Sequence, residues 1–514
     1  MLARITSATV HGVEAVEVTI EVHVSQGLKK TIIVGLPDTA VKEAGERVQA
    51  ALRNSGFRFP DTHTTVNLAP ADLRKEGPSF DLPIALGVIT CTEIGASPQF
   101  RETLAVGELA LDGTVRPVKG VLAVAIEAKR QGCGRLIVPQ ANASEAALVD
   151  GIDVVPVESL RHAWDIVNGK QEADIFRLDR STFFESHSSY AVDFTDVKGQ
   201  QAVKRALEVA VAGFHNVLLI GPPGTGKSML ASRLPTIMPR MTEEEAIEVT
   251  KIHSIAGLLD PKQGFLATRP FRSPHHTISE AGLLGGSGNP RPGEVSLAHL
   301  GVLFLDELPE FKRGTLEVMR QPLEDGKVTI SRAAASLTFP ARFMLVAAMN
   351  PCPCGYYGDP KRECRCSPRQ IEQYRQRISG PLLDRIDLHV EVPQVEYREL
   401  KGGAAGETSE TIRARVEAAR EVQRPRYDGA RARVATRTNS SLPPKLLQQH
   451  CQIDSEGARY LEAAMTDFHL SARAHDRILK VARTLADLEG SQNIRPNHVL
   501  EAIQFRSLDR RLRW

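Results

Sequence analysis

A glycine-rich octapeptide, Gly221-Pro222-Pro223-Gly224-Thr225-Gly226-Lys227-Ser228, sets the tightest constraint on what this chain can fold into. It has the spacing G-x-x-x-x-G-K-[ST], which works in one setting only. A buried strand must run into it and a helix must leave it, so that the backbone N–H groups of the turn converge on an anion. Both flanks are present: residues 217–220 are wholly apolar, and Met229, Leu230 and Ala231 open a helical pattern. In that setting Gly221, Pro222, Pro223, Gly224, Thr225 and Gly226 wrap a polyphosphate, with Met229 in the turn that follows. Lys227 reaches the β- and γ-phosphates and Ser228 ligates Mg²⁺. ATP and Mg²⁺ are the expected ligands.

Two later runs share the character of 217–220. Residues 302–305 end in Asp306 and Glu307, and residues 343–349 end in Asn350. Short runs that are apolar throughout suit central parallel strands covered on both faces. At such a strand end Asp306 binds Mg²⁺, usually through water, and Glu307 polarises the attacking water. If the Asn350 strand lies beside the Asp306 strand, its amide positions the γ-phosphate or that water.

With 514 residues the chain has room for three to four domains. Residues 1–170 alternate between strand and helix signals. Val16, Val18, Ile20, Val22 and Val24 have strand period, further strands are expected at 64–68, 104–106, 136–138 and 154–155, and Asp38 can cap a helix to about residue 55. Helices are expected at 82–90, 118–131 and 160–167. Residues 171–192 read as a linker, 193–400 as the nucleotide-binding core and 401–514 as a helical part. That last part has helices near 409–423, 445–465, 473–489 and 496–504.

Lys plus Arg number 64 and Asp plus Glu 62, so the net charge of +2 excludes bulk electrostatics as an argument for nucleic acid. Positive charge is local instead: residues 413–437 hold eight arginines against three acids, part of it ordinary helix-face pairing. No run of 18 apolar residues exists, so no membrane span is expected. No secretory leader is evident, and seven cysteines are too few for a disulfide scaffold, so the expected compartment is the cytoplasm. Four of the seven, Cys352, Cys354, Cys364 and Cys366, fall within residues 352–366 as two Cys-x-Cys pairs. Two such pairs joined by a turn-rich segment can close a tetrahedral Zn²⁺ site of structural type, since sulfur fills every position.

Taken in order, these features resemble the AAA+ ATPases, and more narrowly the magnesium-chelatase-like branch typified by the ComM/YifB proteins. The likeness runs nearly end to end, through Gly35–Asp38, Asn67–Ser79, the phosphate loop, Arg272-Ser273-Pro274-His275-His276, Gly301–Glu307, Asn350–Gly355, Pro381–His389 and Ile478–Leu485. It implies an α/β fold: a Lon-protease-like N-terminal α/β domain, a P-loop core with a parallel sheet flanked by helices, and a C-terminal helical lid. It also implies a homo-hexameric ring. In such a ring Arg385, with Arg377 as the alternative, reaches the γ-phosphate of the neighbouring subunit. Arg473, or else Arg477, is the lid arginine that senses the nucleotide. The segment 253–299 and the strand–turn–strand signal at 327–339 are similar to channel elements of this clade, which makes Lys327 and Arg332 candidates for DNA phosphate contacts.

Glu76-Gly77-Pro78-Ser79 is similar to the nucleophile segment of the Lon fold, but Leu122 stands where its catalytic lysine belongs and Lys119 lies three positions early. Without a neutral lysine as base Ser79 stays a weak nucleophile, so a non-proteolytic domain is expected. The resemblance implies an ATP-dependent DNA motor, a helicase or branch-migration enzyme of recombination and natural transformation. The alternatives are a magnesium-chelatase motor subunit and a protein-remodelling ring.

Overall fold

The period-2 pattern at Val16–Val24 becomes the strand Glu14–Ser25, in which Val18, Ile20 and Val22 are fully buried. It lies inside a seven-stranded mixed sheet of order Lys30–Val34, His63–Ala69, Glu14–Ser25, Leu2–His11, Thr103–Ala105, Arg135–Pro139 and Asp153–Val157. In this computed structural model the described residues are 1–93, 98–180, 184, 188–260, 263–286, 291–332, 335–395, 406–427, 438–506 and 508, the side chains of Arg332 and Ala335 excepted. They divide into two compact units. The first holds 1–187, 246–267 and 331–338; the second holds 188–245, 268–330 and 339–514.

In the first unit both faces of the sheet are covered. Ile137 and Val155 join one core cluster, with Ile20, Leu86 and Trp164, while Leu136, Val138 and Val154 join the other, with Val121 and Val124. Neighbouring residues of one strand thus serve opposite faces, as the pleat requires. The helix expected from Asp38 runs Thr39–Asn54, and the Asp38 carboxylate accepts the N–H of Val41 at 2.8 Å. Leu122 is fully buried in the helix Val121–Arg130. Its N–H donates to Glu145 at 2.8 Å, and Ser254 also donates to that carboxylate while accepting the N–H of Gly120 at 2.9 Å. Burial pushes the Glu145 carboxyl up despite these donors.

The second unit is built on a five-stranded parallel sheet of order Phe271–Arg272, Val302–Leu305, Met344–Met349, Val217–Ile220 and Leu388–Glu391. The expected adjacency holds: Val302–Leu305 pairs with Met344–Met349, Leu305 opposite Ala347, and Ile220 lies opposite Met349 on the other side. The three central strands are buried along their whole length because helices cover both faces. In chain order a separate two-stranded hairpin, Lys327–Arg332 with Ala335–Pro340, falls between Val302–Leu305 and Met344–Met349.

The helical part follows the expected spacing with one exception. A single helix near 445–465 is instead two, Pro444–His450 and Ser455–Asp467, because Asp454 caps the second and accepts the N–H of Gly457 at 2.7 Å. Ala472–Leu488 and Pro496–Gln504 complete it, and Val416, Ile478 and Leu485 share one core with Val217 and Leu219 of the sheet. Polar groups are buried here too. Asp487 accepts from Arg426, from Arg483 at 3.0 Å and from Asn439 at 2.8 Å. Asp387 is buried; burial would raise its carboxyl, but Arg477 and His215 outweigh it and hold the group below its ordinary value. Among the described residues no helix is long and apolar enough to cross a membrane.

Candidate nucleotide site and cysteine centre

The three central strands end level with one another, and their following residues meet at one edge of the sheet. Gly221 leaves the strand so close to its neighbour that a Cβ there would lie 2.3 Å from the Val392 carbonyl oxygen. Gly224 and Gly226 take φ of +79° and +84°, which lets the turn fold over before the helix Lys227–Ile237 begins. Thr225 Oγ1 donates to Pro222 O at 3.0 Å, closing the turn from inside. Gln200 fixes it from outside, its Nε2 donating to Thr225 O at 2.9 Å and to Pro393 O at 3.0 Å. Met229 is exposed beside the loop.

Lys227 donates to Gly221 O at 2.7 Å, Pro222 O at 2.9 Å and Asn350 Oδ1 at 3.2 Å. All three acceptors are neutral. Burial lowers the ammonium's pKa, and Asp306 only partly counters it. A cation fixed this way, with its charge only partly compensated by Asp306, suits a polyphosphate. Ser228 Oγ donates to Asp306 Oδ2 at 2.7 Å, which puts the two Mg²⁺ candidates in direct contact. Glu307 takes φ of +52°, a strained value for a residue with a Cβ, and its side chain is 57% exposed at the open edge. His276 Nδ1 lies 3.4 Å from its carboxylate, and the His275 ring packs on His276 with centroids 4.1 Å apart. Arg272 forms a paired ion contact with Glu294, both distances 2.7 Å.

The remaining candidates are placed as follows. Arg385 is buried, donating to Pro381 O at 2.6 Å and paired with Glu324. Arg377 is half-exposed and paired with Glu310 at 2.8 Å, three residues from Glu307. Arg473 is exposed in the first turn of Ala472–Leu488, whereas Arg477 is tied to Asp387. Lys327 is exposed at the start of the hairpin; the side chain of Arg332 lies outside the described residues. In the arginine-rich segment Arg415 pairs with Glu208 and Glu407, and Arg426 with Asp487. Arg431, Arg433 and Arg437 lie outside the described residues.

Directly after Asn350 the chain enters the cysteine segment. The four sulfurs of Cys352, Cys354, Cys364 and Cys366 all lie within 4.8 Å of one another, so the group can hold a metal ion. Cys352 to Cys354 is 3.3 Å, Cys352 to Cys364 3.7 Å and Cys354 to Cys364 3.6 Å. The Cys354 thiol falls to about 6, chiefly through the backbone N–H of Tyr356. Cys364 rises to about 12 although the N–H of Cys366 favours its thiolate, since burial and the facing Cys352 and Cys354 oppose it. Between the pairs, Gly355 at φ +87° sits against the phosphate loop: a Cβ there would lie 2.6 Å from Pro223 Cδ and 3.9 Å from Asn350 Cγ.

Sequence reasoning missed two braces, Gln200 on the outside of the loop and Gly355 on Pro223, and it singled out His276 without its partner Glu307. The Gly199-Gln200-Gln201 step before a helix and the glycine inside the cysteine segment were visible, but their partners are remote in sequence.

Comparison with known proteins covers nearly the whole chain. Residues 193–400 match the family described as magnesium chelatase, subunit ChlI; residues 20–142 match subunit ChlI of Mg-chelatase, and residues 406–506 match the ChlI C-terminal family. The competence protein ComM of Haemophilus influenzae is 45% identical over 99% of this chain and 98% of the relative. The protein YifB of Escherichia coli is 44% identical over 98% of the chain and 96% of the relative. Lon protease 2 of Bacillus subtilis is 33% identical over 27% of the chain and 26% of that protein.

Replacing Gly355 by Ala forces a Cβ into Pro223 at a left-handed backbone position. A cost of about 1–3 kcal/mol in local strain is expected, and the displaced loop should bind a fluorescent ATP analogue about tenfold more weakly. Unchanged affinity in a titration of the full chain would show that the cysteine segment does not bear on the loop.

Proposed function

The chain belongs to the ComM/YifB family of magnesium-chelatase-like AAA+ ATPases, and from that premise we propose that it is an ATP-driven DNA motor. Its work is strand separation or branch migration during recombination and natural transformation, in the cytoplasm, as a homo-hexameric ring. The observation that carries the ATPase chemistry is the meeting of Lys227, Ser228, Asp306, Glu307 and Asn350 at one sheet edge, through the Lys227–Asn350 and Ser228–Asp306 contacts. The DNA assignment is supported by the competence protein ComM at 45% identity and by the exposed Lys327 at the hairpin.

In this reading the loop N–H groups and Lys227 bind the triphosphate, and Asn350 fixes its terminal group. Ser228 and Asp306 would hold Mg²⁺, which would supply charge neutralisation to the triphosphate. Glu307 orients the attacking water and takes its proton. Arg385 offsets the developing charge in the neighbouring subunit, which requires it to leave Glu324; Arg377, exposed and close to the Glu307 turn, is the alternative. Arg473 is free to approach a nucleotide from the lid, while Arg477 is spent on Asp387. Lys327 and Arg332 contact DNA phosphates without reading sequence. The N-terminal unit acts as a collar rather than a protease, since an apolar, buried Leu122 cannot deprotonate Ser79.

The cysteine centre is proposed to hold one structural Zn²⁺. Tetrahedral thiolates at a Zn–S length of about 2.3 Å stand about 3.8 Å apart, close to the 3.6 and 3.7 Å separations of Cys364 from its neighbours.

Three outcomes test this reading. Wild-type protein should hydrolyse ATP faster with DNA and displace strands or migrate branches on forked and junction substrates, while Glu307→Gln binds ATP but loses turnover by about 100-fold or more. ATP turnover indifferent to DNA would favour a chelatase-type motor instead. Arg385→Ala should lose hydrolysis with ATP binding intact, and mixing it with Lys227→Ala should restore part of the activity; normal turnover by Arg385→Ala alone would reassign the finger to Arg377. Elemental analysis should find about one zinc per chain, lost in the Cys364→Ser/Cys366→Ser double variant.

A further inference from the structure

The second unit carries a cluster of cations far from the phosphate loop. The loop follows Ile220 at the C-terminal ends of the parallel strands, whereas Phe214 and Leu300 precede strands and sit at their N-terminal ends. There a small cleft of ≈ 60 Å³ is lined by Arg240, Arg269, Arg420, Arg424, Glu245 and Phe214, among others. Four arginines thus face one carboxylate. Glu245 is already engaged by Arg269 at 2.9 Å, and the other Arg269 N–H groups go to the carbonyls of Pro239 at 2.5 Å, Leu300 at 2.8 Å and Arg240 at 3.3 Å. Arg269 is a satisfied structural residue.

Arg420 is not. Its Nη2 donates to Val211 O at 2.9 Å and its guanidinium lies over the Phe214 ring, 5.7 Å from the centroid. Its Nε is buried and has no hydrogen-bond partner among the described residues. Burial first, and then the nearby Arg269 cation, push its pKa down to about 9 against the opposing pull of Glu245, so it stays charged at neutral pH. A buried donor without an acceptor is destabilising, and a methionine would fill the same volume without that cost. At the mouth, Arg424 is half-exposed and pairs with Glu421 at 2.5 Å, and Arg240 is exposed.

We propose that this cleft binds a phosphoryl anion, with Arg420 as the half-buried donor and Arg424 and Arg240 at its entrance. Guanidinium forks match phosphate oxygens in geometry, and one such anion supplies counter-charge to the arginines that line the cleft. Its source is either a free phosphate compound or the phosphodiester backbone of a polynucleotide. Because Arg420 lies on the helix Ser409–Gln423, an occupied cleft ties that helix to the ATPase sheet at the end away from the nucleotide.

The test uses the full chain with its phosphate loop saturated by MgADP. Inorganic pyrophosphate is titrated calorimetrically in one arm and a short single-stranded oligonucleotide in the other. Arg420→Met, which keeps the volume, and Arg424→Gln, which leaves the half-buried position intact, are each compared with wild type. Pyrophosphate binding that weakens by about 10- to 100-fold in both variants supports a free phosphate ligand. Oligonucleotide binding that weakens similarly, without pyrophosphate binding, supports a backbone phosphodiester. No binding of either probe, or binding that neither substitution alters, overturns the proposal. Should Arg420→Met fail to fold, the Arg424→Gln comparison decides it alone.

Discussion

Everything at the nucleotide site depends on the parallel register of three short strands. Pairing Ile220 with Met349 and Leu305 with Ala347 makes Gly221, Asn350 and Asp306 emerge at the same edge. A slip of one residue would turn each strand's side chains to the opposite face and separate these groups. With the register set, the hydrogen bonds from Lys227 to Asn350 and from Ser228 to Asp306 follow from proximity. The apolar cover on both faces is what holds the register, so the site's geometry is a consequence of burial several residues away from the chemistry.

Around that edge the chain adds braces from elements distant in sequence. Gln200 holds the outside of the phosphate loop, and Gly355 brings the cysteine segment against Pro223. The cysteine centre follows Asn350 immediately, so any ion that closes it also fixes the chain leaving that strand. Polar burial does similar work in the lid. Asp387, beside the last strand, joins Arg477 and His215, while Asp487 gathers Arg426 and Arg483. These carboxylates are buried with their partners, which makes each contact costly to break and specific in what it joins.

The distribution of arginines shows how poorly local charge predicts a surface. Residues 413–437 read as one basic stretch, yet Arg415 and Arg426 are consumed by carboxylates of their own chain, and Arg420 is half-buried over Phe214. Arg385, the finger candidate, and Arg377, its alternative, differ sharply in setting: one is buried on Glu324, the other half-exposed on Glu310. Side-chain partners from remote segments, invisible in a linear reading, create those differences.

By itself the sequence determined the three central strands of the ATPase sheet, the phosphate loop, the acidic and amide residues that follow the two later strands, and the pairing of cysteines, but not the outer strands Lys30–Val34, Phe271–Arg272 and Leu388–Glu391. Each of the determined features is written in local periodicity or in spacing within a few residues, and burial preference fixes them without reference to the rest of the chain. The tertiary structure decided how the charged residues are engaged: Arg477 pairs with Asp387, Arg385 with Glu324 and Arg377 with Glu310, while Arg473 is exposed at the start of its helix. It also decided that helix capping at Asp454 splits a helical run, that segments 246–267 and 331–338 pack with the N-terminal unit, and that a glycine among cysteines rests on the phosphate loop. Those outcomes turn on contacts between residues tens to hundreds of positions apart, and only the packed chain brings such residues within reach of one another.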